Sequence, residues 1–504
     1  MSWRDSLVPG DEHDEALAAQ VHPAGWTAPE PRERYDLVVL GAGTAGLVAA
    51  AGAAGVGASV ALVERGLMGG DCLNVGCVPS KALLAAARAV ADARRLGEFG
   101  ARADGVAADF PAVMERLRRL RAGLAPHDGA ARFASLGVSV FLGEARFTGP
   151  DAVAVAGKTL RFKKAVIATG ARAAVPVLPG LGEAGYLTNE TVFALTELPP
   201  RLAVLGGGPI GCELAQAFAR LGSSVTLVSS TARLLPKDPP EAGALVEAAL
   251  RRDGVEVLLR ARPAAVSGAG ADTVVTVAAN GVSRAVRCDR ILVAVGRRPN
   301  VEGLGLEAAG VDFDPERGVV VDDFLRTTNP RVYASGDACL EWKFTHAADA
   351  ASRLVVQNAL FLGRKRASSL IVPWCTFTDP EVARVGLTPE AAARSGLPHR
   401  VFDLPMTGVD RAVLDGDTEG FLQVVAGKGG RVLGATMVSR HAGESIGQLT
   451  MAVRKGLTMA DLSATIQPYP VQADAIRRAG DAWNRSRLTP FTKSLLKSLL
   501  RFTA

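Results

Sequence analysis

Cys72 and Cys77 stand five residues apart in the stretch Gly69-Gly70-Asp71-Cys72-Leu73-Asn74-Val75-Gly76-Cys77-Val78-Pro79-Ser80-Lys81. A thiol acts as a nucleophile or two-electron donor through its thiolate, and a nearby cation such as Lys81 stabilises that form. Two thiols that meet can store an electron pair by making or breaking one S–S bond. Meeting is not automatic at this spacing. In an ideal helix, Cα atoms five residues apart are about 8.6 Å apart, from the ~1.5 Å rise and ~2.3 Å radius. A disulfide tolerates roughly 7 Å at most. The pair therefore needs a distorted turn, which Gly76 makes accessible. The other cysteines, at 212, 288, 339 and 375, are scattered. That density is too low for a secreted disulfide framework and indicates a reducing cytoplasm with one dedicated redox pair.

Two glycine motifs carry the second kind of chemistry. Gly41-Ala42-Gly43-Thr44-Ala45-Gly46 follows the apolar run Tyr35–Leu40 and opens an alanine-rich helix over Ala45–Ala54. Gly41 permits a tight turn, Gly43 lets backbone approach a pyrophosphate, and Gly46 lets the helix sit close to the strand. The helix N-terminus offers N–H groups and a positive dipole end to the anion. Glu64, 23 residues after Gly41 at the end of the strand Ser59–Val63, is spaced to accept from ribose hydroxyls. Gly206-Gly207-Gly208-Pro209-Ile210-Gly211 repeats the motif after Leu202–Leu205, with the outer glycine positions at Gly206, Gly208 and Gly211. The same offset now lands on Ser229. An acid there would repel a 2′-phosphate, whereas Ser229 and Ser230, with Arg233 and Lys237 following, favour NADPH over NADH. Two dinucleotide sites imply one tightly held redox cofactor and one exchangeable hydride source. Ala168-Thr169-Gly170 closes a strand of the first unit, and Gly336-Asp337 follows Val332–Ser335. Asp337 supplies a carboxylate that can hydrogen-bond the ribityl chain of a flavin.

These motifs recur in a chain of 504 residues, too long for one core. Short apolar strands alternate with alanine-rich helices up to about residue 370, which argues parallel α/β sheets. Residues 82–136 read as one long helical stretch. Beyond 370, strands such as Phe421–Val425 and Arg431–Val438 precede helical segments, an α+β texture. The expected division is an N-terminal extension (1–33), a flavin-binding domain in two parts (34–190 and 286–368), a nicotinamide-binding domain (191–285), a dimerisation domain (369–490) and a tail (491–504). In Lys493–Phe502, Leu495, Leu496, Leu499 and Leu500 share one face, with Lys493, Lys497 and Arg501 four apart beside it. Such a helix can pack in a dimer or lie weakly on an anionic membrane. The net charge of +6 is modest for the length, so no nucleic-acid partner is expected. No membrane span, secretory signal or metal site is expected either.

The cysteine stretch closely resembles the active-site signature of the pyridine nucleotide–disulfide oxidoreductases, the family of dihydrolipoamide dehydrogenase, glutathione reductase and mercuric reductase. The resemblance extends from about residue 34 to 490. It includes Ala168-Thr169-Gly170, the second glycine motif with Glu213, Val295-Gly296-Arg297-Arg298-Pro299-Asn300, Ser335-Gly336-Asp337 and Phe377-Thr378-Asp379-Pro380. It implies two Rossmann-like dinucleotide-binding domains and a C-terminal α+β dimerisation domain. FAD is implied at Gly41, Gly43, Gly46, Glu64, Thr169, Gly170 and Asp337. NADPH, or NADH, is implied at Gly206, Gly208, Gly211, Ser229 and Gly296. It assigns Cys72 as the interchange thiol, Cys77 as the flavin-facing thiol, and Lys81 with Glu213 as a pair beside the flavin.

The sequence departs from its relatives near the end. The disulfide reductases carry a His-Pro segment and a downstream Glu contributed across a homodimer, and that histidine shuttles protons for the interchange thiol. Here Gln467-Pro468-Tyr469-Pro470 puts Tyr469 at the histidine position and Asp474 at the glutamate position. A tyrosine, with a reference pKa of about 10, is a poor shuttle at neutral pH. Mercuric reductases carry a tyrosine here, and they also carry a C-terminal cysteine pair, whereas the last cysteine in this sequence is Cys375. The expectation is a mercuric-reductase-like enzyme with a small-molecule acceptor: a disulfide, a thiol-ligated species or a metal ion. The alternatives are a dihydrolipoamide-dehydrogenase-type or quinone-reducing activity, and a nucleotide-sensing interaction protein without turnover.

Overall fold

The computed structural model describes residues 7–503 apart from 104 and 280. Residues 1–6 of the extension and 504 of the tail therefore lie outside the described residues. The chain divides into two compact units, one formed by residues up to 230 with 254–370, the other by 231–253 with 371 onward.

The first unit opens with helix α1 (Glu12–Val21), capped by Asp11, whose carboxylate accepts from His13 N and Asp14 N. Strand β1 (Tyr35–Leu40), helix α2 (Thr44–Gly55) and strand β2 (Val60–Glu64) follow. Apart from Asp36 and the terminal Glu64, both strands are apolar on both faces, as strands covered by helices must be. Next come helices α3 (Gly70–Asn74), α4 (Cys77–Arg94), α5 (Phe110–Leu124) and α6 (Ala130–Ser135), then strands β3 (Val138–Leu142), β4 (Ala145–Gly149), β5 (Ala152–Val155) and β6 (Lys158–Ile167). The sheet order is β3-β2-β1-β6-β5-β4, with Val332–Ala334 pairing parallel to β6. The late strand returning to the first sheet means that this sheet is assembled from two separate stretches of sequence.

Residues 82–136 are not one helix. The chain breaks after Arg94, turns through Gly100 at φ 75°, and restarts at Phe110 behind an Asp109 cap with Pro111 in the first turn. Composition favours helix throughout, but glycine in the left-handed region and a capped restart terminate it locally. The strand expected at Ala165–Ala168 is longer, because its first half pairs antiparallel with β5.

The duplicated motif sits on a second parallel sheet in the order Glu256–Leu258, Ser224–Val228, Arg201–Leu205, Arg290–Val293. A three-stranded antiparallel sheet, Ala261–Ser267, Thr273–Ala279 and Val282–Cys288, follows it. In the second unit, Trp374–Thr376, Glu381–Gly386, Val432–Ser439, Phe421–Ala426 and Arg400–Pro405 form an antiparallel sheet. Residues of Ala442–Lys455, Met459–Ala464 and Asp474–Ser486 complete its core. Residues 231–253, including the helix Pro240–Arg252, cluster with this unit and not with the rest of the 191–285 segment.

Candidate active site

The first glycine turn follows from contact distances. Gly41 has φ 101°, and a Cβ there would lie 2.4 Å from Ala168 O; a Cβ at Gly46 would lie 1.7 Å from Gly41 O. At Gly43 the nearest atom to a Cβ is Gly70 Cα, 3.6 Å away, so that backbone is accessible. The second turn repeats the pattern, with 2.2 Å at Gly206, 1.9 Å at Gly211 and nothing within 4 Å at Gly208. Neither helix that follows, α2 or Pro209–Leu221, has a side chain capping its N-terminus. Both therefore keep first-turn N–H groups for a ligand, and the donor set fits the pyrophosphates of two dinucleotides.

Glu64 ends β2 as its spacing implies. Its Oε2 accepts from Ala42 N at 2.6 Å and its Oε1 from Gly66 N at 2.8 Å. Burial raises its pKa against those hydrogen bonds. Thr169 Oγ1 donates to Asn300 O, and Asn300 returns hydrogen bonds to Thr169 O and Gly170 O. These bonds tie the end of β6 to the Gly296–Asn300 segment. Gly296 has φ 144° with open space around it. Asp337 faces Arg297 Nε at 3.2 Å. Burial raises the Asp337 pKa, with Arg297 opposing. The Arg297 side chain is only 16% exposed, and its Nη2 pairs with Asp71, the residue before Cys72. Ser229 is buried, its N–H donating to Leu258 O and its carbonyl accepting from Ala261 N, while Ser230 is exposed.

The glycine turn and the cysteine loop are joined directly. Gly69 N donates to Ala42 O at 2.8 Å, and a Cβ at Gly70 would lie 2.6 Å from Gly43 Cα. α3 ends at Asn74, the backbone leaves helical geometry at Val75 and Gly76, and Cys77 starts α4. This is the distorted turn the spacing requires. Both cysteines are free thiols, each the other's hydrogen-bond partner. Cys77 is pulled down to about 6, first by the Cys72 hydrogen bond, then against burial by Thr345 and Lys81. Cys72 is pushed well up, by the same hydrogen bond and by burial. The pair thus shares one proton, held on Cys72. Lys81, one turn along α4, reaches Glu213 Oε2 at 2.9 Å, and Glu213 is buried.

Tyr469 and Asp474 lie in the second unit. Tyr469 is exposed and donates to Asp410 Oδ2 at 2.8 Å, an acceptor that raises its pKa further. Burial would raise Asp474, but hydrogen bonds from Arg477 and Arg478 hold it below the usual carboxylate range. Thr345, 3.4 Å from the Cys77 sulfur, is a contact that sequence reading missed; nothing near it in sequence signals the role. Arg297 lay inside a motif, yet its bridge from Asp71 to Asp337 joins residues far apart in sequence. Among the described residues no cluster of His, Cys, Asp or Glu could hold a metal ion.

Two dinucleotide turns on parallel sheets, the first bonded to a proton-sharing cysteine pair, define the flavoprotein disulfide reductase class. The chain belongs to the pyridine nucleotide-disulphide oxidoreductases: that family's model matches residues 35–352, and its dimerisation domain matches 372–479. Mercuric reductase from Streptomyces lividans is 38% identical over 456 residues, 89% of this chain and 96% of the relative. Mercuric reductase from Staphylococcus aureus is 36% identical over 446 residues, 88% and 82%. Dihydrolipoyl dehydrogenase from Chlamydia muridarum is 35% identical over 454 residues, 88% and 95%. Among solved structures, the HOCl-induced flavoprotein disulfide reductase RclA from Escherichia coli superposes with a TM-score of 0.78 at 30% identity, covering 89% of this chain and 99% of that one. LpdA from Mycobacterium tuberculosis gives 0.80 at 28%, with the same coverages of 89% and 99%. Members of the family are FAD-dependent and use NAD(P)H.

Proposed function

We propose that the protein passes electrons from NADPH to the Cys72–Cys77 pair, and from there to a small disulfide, thiol-ligated or metal-ion acceptor. FAD, held by Gly41, Gly43, Gly46, Glu64, Thr169, Gly170 and Asp337, would supply two-electron transfer between the nicotinamide and the pair. The observation that carries the reading is the broken helix that sets the Cys72 and Cys77 thiols against each other, with Lys81 and its partner Glu213 one turn along. Reduction of the disulfide to the proton-sharing pair takes two electrons and one proton, because Cys77 remains a thiolate. In this geometry the shared proton stays on Cys72, and Lys81, anchored by Glu213, offsets the Cys77 charge. Cys72, half-buried, is the interchange thiol that meets the acceptor. Tyr469 orients an acceptor and does not carry its proton, since Asp410 holds its hydroxyl hydrogen bond. That favours acceptors needing no fast proton delivery, and a mercuric-reductase-like acceptor over dihydrolipoamide.

NADPH is preferred because neither Ser229 nor Ser230 supplies an acid, with Gly206, Gly208, Gly211 and Gly296 as the remaining contacts. The working protein is a homodimer whose 369–490 domain brings Tyr469 and Asp474 to the partner's cysteines, in keeping with the matched dimerisation domain. The flavin-binding domain spans 34–190 and 286–368, the nicotinamide-binding domain 191–285. The cysteine usage suits the cytoplasm. The helix Pro490–Thr503 exposes Phe491, Leu495, Leu496, Leu499 and Leu500 beside Lys493, Lys497 and Arg501, which suits weak contact with an anionic membrane. Among the described residues no helix is long and apolar enough to cross one.

The test is NADPH oxidation by the wild type and by Cys72→Ser against disulfides, metal ions and quinones. Turnover with a disulfide or metal ion that disappears in Cys72→Ser supports the reading. Full activity of Cys72→Ser with a quinone replaces it with a flavin-to-quinone dehydrogenase.

A further inference from the structure

The break between α3 and α4 lets Cys72 and Cys77 meet, and it has a consequence for the backbone. In a continuous helix Asn74 O would accept from the N–H four residues on. The departure at Val75 and Gly76 leaves the Asn74 carbonyl outside any helical ladder, and the Val75 carbonyl has no helical donor in either case, because the residue four on is Pro79. Asn74 is buried, at 4% exposure, so water does not satisfy its carbonyl. Two buried side chains do so. Arg121 Nη1 on α5 donates to Asn74 O at 3.0 Å, and Asn189 Nδ2 donates to Val75 O at 3.2 Å.

Arg121 is in turn held by the N-terminal extension. Its Nη2 meets Asp14 Oδ1 on α1 at 2.6 Å, with both side chains only 1% exposed. Just beyond, Val21 O accepts from Met68 N and His22 Nδ1 lies 2.7 Å from Gly66 O, so α1 also grips the chain entering the cysteine loop. All of this extension precedes residue 35, where the family match begins.

We propose that Asp14 and Arg121 are positioning residues for the redox pair: α1 holds Arg121 so that its guanidinium satisfies the carbonyl freed by the helix break. Without it the loop loses the donor that fixes its geometry; Pro79 and Gly76 still keep α3 and α4 from joining, but the dithiol relaxes away from the spacing that closes a disulfide, which the disulfide form cannot do. The clasp therefore favours the disulfide over the dithiol. The proposal rests on Cys72 and Cys77 being a redox pair.

The FAD-loaded full chain is equilibrated with dithiothreitol redox buffers, quenched with acid, and its Cys72 and Cys77 thiols are labelled and counted by mass spectrometry. The equilibrium exchanges protein disulfide and reduced dithiothreitol for the reduced protein pair and cyclic oxidised dithiothreitol: two electrons move each way, one proton stays on the pair and the other goes to the buffer. Arg121→Met should shift it about tenfold towards the dithiol, the scale of an unsatisfied buried carbonyl. Arg118→Met is the control. Arg118, also on α5, pairs with Asp11, the cap of α1, at 2.6 Å, with no hydrogen bond to the cysteine loop among those described. It should stay within about twofold of wild type even where the melting temperature falls. If Arg121→Met does not fold, Asp14→Leu with Arg121→Met, which replaces the buried ion pair by apolar groups, carries the same expectation. Arg121 variants within twofold of wild type overturn the clasp, as does an equal shift in Arg118→Met. A wild type that forms no Cys72–Cys77 disulfide defeats the redox reading itself.

Discussion

If Lys81 is replaced by methionine, the Cys77 thiolate should become harder to form. Cys77 titrates at about 6 in place of its ordinary 9.0. At pH 7 the thiolate fraction is then about nine-tenths, against about one-hundredth for an unshifted thiol. Residues four apart on a helix carry Cβ atoms about 5–6 Å apart, and a charge ~6 Å from the sulfur sets the scale for Lys81 on α4. At that distance Coulomb's law gives ~0.7 kcal/mol in water and ~2.8 kcal/mol at the effective dielectric of a protein surface. Lys81 is partly exposed, so a rise of about one pH unit is expected. Loss of Lys81 also leaves the Glu213 charge unopposed, which acts in the same direction. The assay is a pH titration of the two-electron-reduced holoprotein, followed through the long-wavelength absorbance of a thiolate against oxidised flavin. Wild type should reach half its amplitude near pH 6, and Lys81→Met near pH 7. Cys72→Ser should keep the band, because a hydroxyl still donates to Cys77, and Cys77→Ser should lose it. The folded value lies below the unfolded one, so this group stabilises the dithiol protein fully above about pH 9 and ceases to as pH falls through about 6. A wild-type midpoint at 8 or above, or one unmoved by Lys81→Met, refutes the reasoning.

Gly46→Ala should prevent FAD retention and soluble expression, since its Cβ would lie 1.7 Å from Gly41 O; a yellow, folded variant contradicts the close-packing account. The ratio of kcat/KM for NADPH over NADH should exceed one and fall several-fold in Ser230→Glu, because Ser230 is exposed and Ser229 buried; a wild-type ratio of one or below defeats the preference. Sedimentation at micromolar concentration should give an active dimer, and an active monomer would show the site complete without its partner. Flotation with anionic vesicles should carry the full chain and fail for Leu495→Ser with Leu499→Ser; equal flotation of both would assign the exposed tail helix another role.

Much of this protein is legible from local chemistry. Gly41, Gly46, Gly206 and Gly211 are dictated by backbone contacts that only glycine permits, so their spacing announces both nucleotide turns. The five-residue offset between Cys72 and Cys77 demands a broken helix, and the chain breaks at Val75–Gly76. Helix-forming composition over 82–136 misleads, because termination there depends on single glycines and a cap and not on average propensity. What satisfies the break was not visible at all. Arg121, Asn189 and Asp14 lie 47, 115 and 60 residues from Asn74, and no periodicity relates a buried guanidinium to a distant orphan carbonyl. The same holds for Thr345 at the Cys77 sulfur and for Arg297 between Asp71 and Asp337. Sequence determined which groups could do the chemistry, because residue type and short-range geometry are written locally. Tertiary structure alone decided which thiol keeps the proton and what holds the loop, because burial and long-range hydrogen bonding exist only once the chain has folded.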